Sequence, residues 1–150
     1  MSREYKVYRI ENGTVIDHLP HWSSLKVLEL LQLRECPDLV TLGIGLDSRH
    51  MGRKDLVKVE NRELSEAEVS KLALVAPQAT INLIRNSERV GKVKVRLPDR
   101  LEGLVRCGNI GCITRHEHVP SRLDTLSGQP LRLRCYYCNT VIEGDEVELL

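Results

Sequence analysis

Four cysteines in two closely spaced pairs are the residues of this chain whose types and spacing best suit a metal ion. Cys107 and Cys112 form one pair, Cys135 and Cys138 form the other, and 22 residues separate the two pairs. Thiolate is a soft ligand, and two short-spaced pairs are typical of tetrahedral zinc sites. Since four sulfurs fill the coordination shell, we predict one structural Zn²⁺ per chain and no catalytic zinc. Two disulfides or four free thiols are the alternative.

Other possible metal ligands and thiols carry less weight. His116 and His118 follow Cys112 closely, but either would have to displace a cysteine in order to bind zinc. We expect them to be surface histidines. Cys36 precedes Pro37 at the end of a predicted helix, and we expect it to be a buried or loop cysteine rather than a nucleophile.

The sequence gives little support for an enzyme. It contains no GxSxG, Walker or GxGxxG motif. Asp17 and His18 are adjacent on a predicted strand, where neighbouring side chains point to opposite faces, so they make a poor catalytic pair.

Composition is that of an ordinary globular chain of 150 residues, with 29% charged residues and a net charge of +1. It lacks the excess of positive charge that is typical of nucleic-acid-binding proteins. Aromatic residues make up 3% and phenylalanine is absent, so any core must be built from Leu, Val and Ile. No segment has the pattern of a signal peptide or a membrane span. We therefore expect a cytoplasmic protein, in whose reducing environment a metal is favoured over disulfides.

Hydrophobic periodicity predicts strands and helices up to about residue 97. Ser65 and Glu68 form a capping box that begins the second helix, and Pro77 ends it. The predicted elements are strands 5–11 and 14–18, a helix over 22–33, strands 40–46 and 54–61, a helix to about Val75, and strands 80–85 and 89–95. With 14–18 as an added edge strand, this order predicts an α+β, ferredoxin-like antiparallel sheet with two helices.

A second domain follows the segment that begins with Leu97 and Pro98, which gives predicted domains of 1–97 and 98–150. Strand-like runs at 131–135 and 141–149 predict a small zinc-ribbon or rubredoxin-like β domain. Few large apolar residues are available there, so we expect the metal to supply the stability, typically about 10–16 kcal/mol in small zinc domains.

Basic residues in the first domain indicate a possible polyphosphate site. Lys54 and Lys58 share one face of a predicted strand. A second predicted strand carries Arg89, Lys92 and Lys94, and Arg96 follows it. Two such strands side by side could bind phosphates, whereas a solvated sheet edge protected by lysine is the alternative, and composition alone favours it.

Several segments of the chain resemble the regulatory chain family of aspartate carbamoyltransferase. They are Gly-Thr-Val-Ile-Asp-His at 13–18, Met-Gly-Arg-Lys-Asp-Leu-Val-Lys-Val-Glu-Asn at 51–61, Ala-Pro-Gln-Ala-Thr-Ile-Asn at 76–82, and the Cys-x4-Cys … Cys-Tyr-Tyr-Cys ending. The resemblance covers nearly the whole chain. It implies an N-terminal nucleotide-binding allosteric domain, a C-terminal zinc domain that contacts the catalytic chain, and no catalytic activity of its own.

The resemblance also implies the ligands and the residues that bind them. CTP is the expected inhibitor and ATP the expected activator. The polar nucleotide contacts fall on Asp17, His18, Lys54, Lys58, Asn82 and Lys92, and the remaining contacts on Val7, Arg9, Ile10, Val15, Ile84, Ser87 and Arg89. Two of these residues depart from the family pattern. Arg9 stands where the family has a small residue, and Ser87 stands where it has a tyrosine, so the contacts with the base and the ribose are the ones affected.

Spacing adds one condition to this assignment. Asn82 and Ile84 share a strand face, whereas Arg89 and Lys92 have opposite parity. We therefore predict a β-bulge near Gly91 if both cations reach the ligand.

The implied partners are the catalytic chain and a second regulatory chain, in an assembly that acts in pyrimidine biosynthesis, with no nucleic acid and no membrane. A zinc-ribbon nucleic-acid-binding module is the alternative function. Tyr136 and Tyr137 are the candidates for base stacking in that case.

Overall fold

The computed structural model describes residues 9–150. The chain divides into two compact units, the first ending at Arg96 and the second comprising Leu97–Leu150. Both units are built on antiparallel sheets with few helices, which confirms the predicted α+β class. None of the helices within residues 9–150 has the length and hydropathy that a bilayer span requires.

The described part of the first unit forms one five-stranded sheet in the order β2–β3–β1–β4–β5, with every neighbouring pair antiparallel. Its elements are β1 (Gly13–Pro20), α1 (Ser24–Leu30), a 3₁₀ helix (Leu33–Glu35), β2 (Val40–Ser48), β3 (Gly52–Glu60), α2 (Glu66–Val75), β4 (Thr80–Arg85) and β5 (Glu88–Lys94).

The prediction that 14–18 adds an edge strand is wrong, because β1 lies at the centre of the sheet between β3 and β4. Ile16 and Leu19 are fully buried, and burial of such apolar side chains favours a central position. Of the predicted strand 5–11, residues 5–8 lie outside the described residues, and residues 9–11 are not in a strand. The edge next to β4 is occupied by β5.

The face of the sheet that carries Ile16, Asp55 and Val57, called here the helix face, holds the core of the first unit. Ile16 pairs with Val57 on β3 and with Ile81 on β4, and all three are buried. Helix α1 contacts β2, β3 and α2. Alternation along the strands places the predicted contacts Val15, Lys58 and Asn82 on the opposite face.

The two helices differ in how well their ends were predicted. In α2 the capping box is confirmed, since the Ser65 hydroxyl accepts from Glu68 N–H and the Glu68 carboxylate accepts from Ser65 N–H. The predicted helix 22–33 is shorter, because Gln32 has φ of +54° and interrupts it before the 3₁₀ turn.

A buried carboxylate joins the start of α1 to the sheet. Asp55 is fully buried, and its Oδ2 accepts from the backbone N–H of Ser24 at 3.1 Å and from the Ser24 hydroxyl at 2.6 Å. Its Oδ1 accepts from Gly45 N–H on β2 at 3.1 Å. Burial acts to raise the pKa of Asp55, but hydrogen bonds from Ser24, Gly45 and Trp22 lower it below 3.8.

The second unit contains a four-stranded sheet in the order β10–β9–β8–β6 and a separate pair, β11–β7. Its core includes Leu101, Val105, Leu123, Leu133 and Ile142, each at most 2% exposed. The elements are β6 (Arg100–Glu102), β7 (Val105–Arg106), α3 (Ile113–His116), β8 (Arg122–Gly128), β9 (Leu131–Cys135), β10 (Val141–Glu143), a 3₁₀ helix (Gly144–Glu146) and β11 (Glu148–Leu149).

The strand prediction for the second unit was partly right. The run at 131–135 is confirmed as β9. The run at 141–149 is divided by the 3₁₀ turn that begins at Gly144, where φ is +44°. Strands β6, β7 and β8 were not predicted, because short strands with mixed polarity give little periodic signal.

Replacing Asp55 by Asn tests the role of this carboxylate. The substitution puts an NH₂ group or a neutral oxygen where donors now point, so we expect the free energy of unfolding to fall by about 1–3 kcal/mol. Urea unfolding followed by the fluorescence of Trp22, the only tryptophan of the chain, would measure it.

The matched control is Asp38→Asn, because Asp38 is exposed and accepts one hydrogen bond, from Asn61 Nδ2 at 3.2 Å. That variant should unfold within about 0.5 kcal/mol of the parent. The lowered pKa of Asp55 predicts that its contribution is complete above the unfolded-state pKa of about 3.9 and is lost as the pH falls through the folded-state pKa. Equal stability of the two variants at neutral pH would contradict the assignment.

Candidate functional site

A row of side chains crosses the first sheet on the face opposite the helix face, called here the site face. Cα partners link Thr41 on β2 to Lys58 on β3, Lys58 to Val15 on β1, Val15 to Asn82 on β4, and Asn82 to Lys92 on β5. Directly opposed residues in antiparallel strands share a face. Four of the five are predicted nucleotide contacts, and the pairing therefore brings them together.

Charges concentrate around β3 on this face. Lys58 is only 9% exposed, and the Lys54 ammonium lies 2.8 Å from Asp17 Oδ1. Burial lowers the pKa of Lys58, the positive charge of Arg9 lowers it further, and Asp17 acts in the opposite direction. Arg9 itself is exposed. Two buried or half-buried lysines beside a third cation form a site that favours an anion.

A bulge brings Asp17 and His18 to the same region, contrary to the expectation that they point apart. The β1–β3 register shifts between Ile16 and Leu19, and His18 has φ of +58°. The His18 Nδ1 atom lies 3.0 Å from the Thr80 hydroxyl, and Thr80 is the Cα partner of Asp17 on β4. Both side chains therefore lie near Thr80 on the site face.

The predicted β5 bulge is confirmed. Pairing of β4 with β5 shifts between Leu83 and Ile84, so that Ile84 opposes Arg89 while Asn82 still opposes Lys92. The unpaired residue is Val90, next to Gly91. Because of this extra residue, Arg89 and Lys92 share the site face despite their opposite parity.

Three predicted contacts remain. Val7 lies outside the described residues. Ile10 is 5% exposed, just before β1. Ser87 is exposed at the β4–β5 turn, where both Asn86 and Ser87 have positive φ, and its N–H donates to the Glu11 carbonyl at 2.8 Å.

One buried polar atom on the site face, Asn82 Oδ1, accepts no hydrogen bond from any of the described residues 9–150. An unsatisfied buried acceptor costs roughly 1–3 kcal/mol, so its retention calls for an explanation. A ligand donor such as an exocyclic amino group would satisfy it.

Sequence reasoning missed Thr41 and Thr80 on this face. Each is an ordinary strand threonine, and only the pairing of β2 with β3 and of β1 with β4 places them beside Lys58 and Asp17. The sequence indicates only which strand face each threonine shares with its own neighbours, and it does not indicate which strands pair with each other.

The four predicted metal ligands meet in the second unit. The sulfurs of Cys107, Cys112, Cys135 and Cys138 all lie within 4.8 Å of one another. Sγ–Sγ distances are 3.5 Å for Cys107–Cys138 and 3.8 Å for Cys112–Cys135. A tetrahedral ion with bonds of about 2.3 Å requires sulfurs about 3.8 Å apart, so the cluster fits a zinc ion. This geometry excludes disulfides, whose sulfurs are about 2 Å apart.

Neighbouring donors suit thiolates. The Asn109 N–H donates to Cys107 Sγ at 3.5 Å, the Thr114 hydroxyl donates to Cys112 Sγ at 3.2 Å, and the Thr140 hydroxyl lies 3.2 Å from Cys138 Sγ. Burial raises the pKa of Cys107 and of Cys135. Burial also acts on Cys138, but hydrogen bonds with Thr140 lower its pKa to about 6. Because these clustered thiols receive few hydrogen bonds, a bound cation is needed for all four to be thiolates at once.

The two histidines and the fifth cysteine, which were not expected to bind the metal, are not part of the four-cysteine cluster. His116 Nε2 is 2.6 Å from the Ile110 carbonyl oxygen, and His118 is exposed. Cys36 belongs to the first unit and is partly buried. The ring of Tyr136 contacts Tyr137 edge-on, and the guanidinium of Arg122 lies 4.2 Å from its centre, while both tyrosines remain exposed.

Comparison with known proteins covers both units. A family described as "Aspartate carbamoyltransferase regulatory chain, allosteric domain" matches residues 5–96, and one described as "Aspartate carbamoyltransferase regulatory chain, metal binding domain" matches residues 99–148. Over 146 residues, the chain is 49% identical to the aspartate carbamoyltransferase regulatory chains of Pyrococcus abyssi and Thermococcus gammatolerans, with 96% of each chain covered. It is also 49% identical over 146 residues to that of Methanothermobacter thermautotrophicus, with 97% of this chain and 94% of the relative covered. These matches confirm the resemblance carried by the sequence motifs. The chain belongs to the aspartate carbamoyltransferase regulatory chain family, with an allosteric domain followed by a metal-binding domain.

Proposed function

We propose that this chain is a regulatory subunit of aspartate carbamoyltransferase in cytosolic pyrimidine biosynthesis, without catalytic activity of its own. Its first domain binds CTP as inhibitor and ATP as activator, and its second domain holds the catalytic chain. The observation that carries the proposal is the row across the site face, in which Lys58 and Lys92 flank Val15 and Asn82. Fixed cations beside a polar acceptor are what a nucleoside triphosphate requires.

The phosphates bind to the cations of the site face in this proposal. Lys58 is buried, so its ammonium is only weakly screened by solvent. Lys54 lies nearby, because Asp17 pairs with Lys54 at 2.8 Å and also influences the pKa of Lys58. Burial and the repulsion from Arg9 both disfavour the charged form of Lys58, and a bound polyphosphate would reverse that imbalance. Arg89 and Lys92 add charge from the edge strand.

The nucleoside binds to the neutral and acidic groups. Asp17 accepts from a ribose hydroxyl or from a base amino group, and Asn82 Oδ1 accepts from the exocyclic amino group that cytosine and adenine both carry. His18 lies near Thr80 beside them. The apolar contacts come from Val7, Ile10, Val15 and Ile84, and the polar contacts at the periphery from Arg9 and Ser87.

Zinc, when bound by Cys107, Cys112, Cys135 and Cys138, supplies a structural cross-link and no open coordination position. The cluster connects the loop after β7 to the end of β9 and the turn that follows it, so the small sheet and the loops around it are stabilised together. We propose that this stabilised surface contacts the catalytic chain, and that regulatory chains also pair with each other.

Regulation requires that each nucleotide bind two states of the assembly with different affinities. Couplings of this kind are typically about 1–3 kcal/mol. CTP then favours the less active state and ATP the more active state. The join between the domains, at about 97–103, is the segment through which we expect the difference to be transmitted.

Lys58→Met tests the phosphate contact. Methionine keeps an apolar stem of similar length but removes the charge, so we expect CTP binding to weaken by roughly 10–100-fold, the loss of one hydrogen bond to a charged group. Isothermal titration of the purified chain with CTP and ATP measures this. Activity of the assembly with the catalytic chain should show a matching loss of response to CTP.

Lys26→Met is the control, because Lys26 is an exposed lysine on α1. It should bind CTP as the parent does. If Lys58→Met bound CTP with parental affinity while Trp22 fluorescence confirmed its fold, the polyphosphate site would have to be elsewhere.

Asn82→Leu separates ligand binding from stability. Since Asn82 Oδ1 has no partner, its removal should leave the free energy of unfolding unchanged or raise it by up to about 1 kcal/mol. Nucleotide binding should nevertheless weaken by about 3–10-fold, the value of one neutral hydrogen bond. A variant that lost stability but bound CTP normally would show that Asn82 has a structural role instead.

Cys135→Ser tests the metal and its link to assembly. Cys135 is fully buried in the cluster, so we expect less than one zinc per chain and loss of co-elution with the catalytic chain in size-exclusion chromatography. Cys36→Ser is the matched control, since Cys36 lies outside the cluster, and it should keep one zinc per chain. A zinc-free Cys135→Ser chain that still co-eluted with the catalytic chain would contradict the proposed docking role.

A further inference from the structure

A cleft of about 300 Å³ in the second unit lies beside the cysteine cluster, and Cys107 contributes to its lining. Its other lining residues have no role in the proposed function. Its basic lining residues are Arg106 and Arg115, its polar ones Thr114 and Ser121, and its apolar ones include Val119 and Pro120. Gly103 and Leu150 complete the lining, and the acidic side chain of Glu148 lies 3.9 Å from Arg106 without itself lining the cleft. The volume is at the lower end of small-molecule sites.

Both arginines are held near the same stretch of backbone. Arg115 Nη1 donates to the Cys107 carbonyl at 2.8 Å, which brings its guanidinium beside the residue that follows Arg106. Arg106 Nη1 lies 3.9 Å from Glu148 Oε1, too far for a hydrogen bond. A guanidinium offers five N–H donors, so these contacts leave most of the donors of each arginine available to a ligand.

Ser121 supplies an independent observation. It is only 5% exposed, and its carbonyl accepts from Gly103 N–H at 2.8 Å. Its hydroxyl oxygen is buried and has no hydrogen-bond partner within the described part of the chain. A buried hydroxyl in this position costs free energy unless something in the cleft binds it. Two guanidinium groups and a hydroxyl without a partner together are the donors that an oxyanion takes.

We propose that this cleft binds a small oxyanion, a phosphate or a carboxylate group, between Arg106, Arg115 and Ser121. The site is separate from the nucleotide site, because every residue that lines it belongs to the second unit. It does not depend on the proposed nucleotide binding. Occupancy of the cleft joins the β7 segment, the α3 segment and the segment before β8 through one ligand.

The test uses the full ¹⁵N-labelled, zinc-loaded chain, titrated separately with sodium phosphate and sodium acetate against sodium chloride at equal ionic strength. We expect saturable shifts of the Arg106, Arg115 and Ser121 amide resonances at about millimolar concentration with at least one of the two anions. Comparison of the two titrations identifies which oxyanion the cleft prefers.

Variants then assign the site. Ser121→Ala and Arg106→Gln should each weaken the saturable shift by about fivefold, whereas Arg132→Gln, an exposed arginine of the same unit paired with Glu143, should leave it unchanged. Zinc content of one per chain confirms that each variant is folded. Arg115→Gln is less suitable, because it also removes the contact with the Cys107 carbonyl.

Three results would overturn the proposal. The first is the absence of saturable shifts at these amides with either anion. The second is an equal response of Ser121→Ala, Arg106→Gln and the parent, which would indicate nonspecific screening. The third is a response confined to amides of β3, β4 and β5, which would leave the nucleotide site in place and assign the two arginines only to balancing the charge of the thiolates.

Discussion

The register of β1 between β3 and β4 is the constraint on which the rest of the first domain depends. A slip of one residue would move every side chain of a strand to the opposite face of the sheet. In the observed register, Ile16 meets Val57 and Ile81 in the core, and Val15 meets Lys58 and Asn82 on the site face. The burial of Ile16 therefore also positions the cations. The packing of the core and the arrangement of the site face are two consequences of one pairing.

Two bulges allow the site face to carry more functional side chains than strict alternation permits. Regular strands would send Asp17 and His18, or Arg89 and Lys92, to opposite faces. One extra residue in each case changes the parity, between Ile16 and Leu19 on β1 and at Val90 on β5. The β5 bulge was predicted from spacing, since the family resemblance required both cations on one face. The β1 bulge was not predicted, although Asp17 and His18 are adjacent, were both implied contacts and therefore present the same parity conflict.

Local signals were predicted well and long-range ones poorly, for physical reasons. The capping box at Ser65 and Glu68 and the cysteine pairs depend on residues a few positions apart, so sequence spacing contains the whole interaction. The central place of β1 depends on strands that are about 40 and 65 residues away in sequence, and no local pattern encodes that choice. The position of Thr41 beside Lys58 could not be predicted for the same reason. Asn82 was identified through the resemblance alone, and its unsatisfied oxygen became evident only when its surroundings were known.

The electrostatics of the site face suggest how a ligand acts on the fold. Lys58 is buried, burial and the charge of Arg9 lower its pKa, and Asp17, which also pairs with Lys54, acts in the opposite direction. Burial and the nearby positive charge therefore make the charged form of Lys58 less favourable. An anion that binds this arrangement but not the unfolded chain stabilises the native state by an amount that grows with its concentration. Because the cations lie on β3 and β5 and the acceptor lies on β4, the stabilisation is shared by three strands instead of one loop. Under the proposed function, two states of the assembly that differ in the spacing of those strands would differ in nucleotide affinity, which is the condition that allosteric control requires.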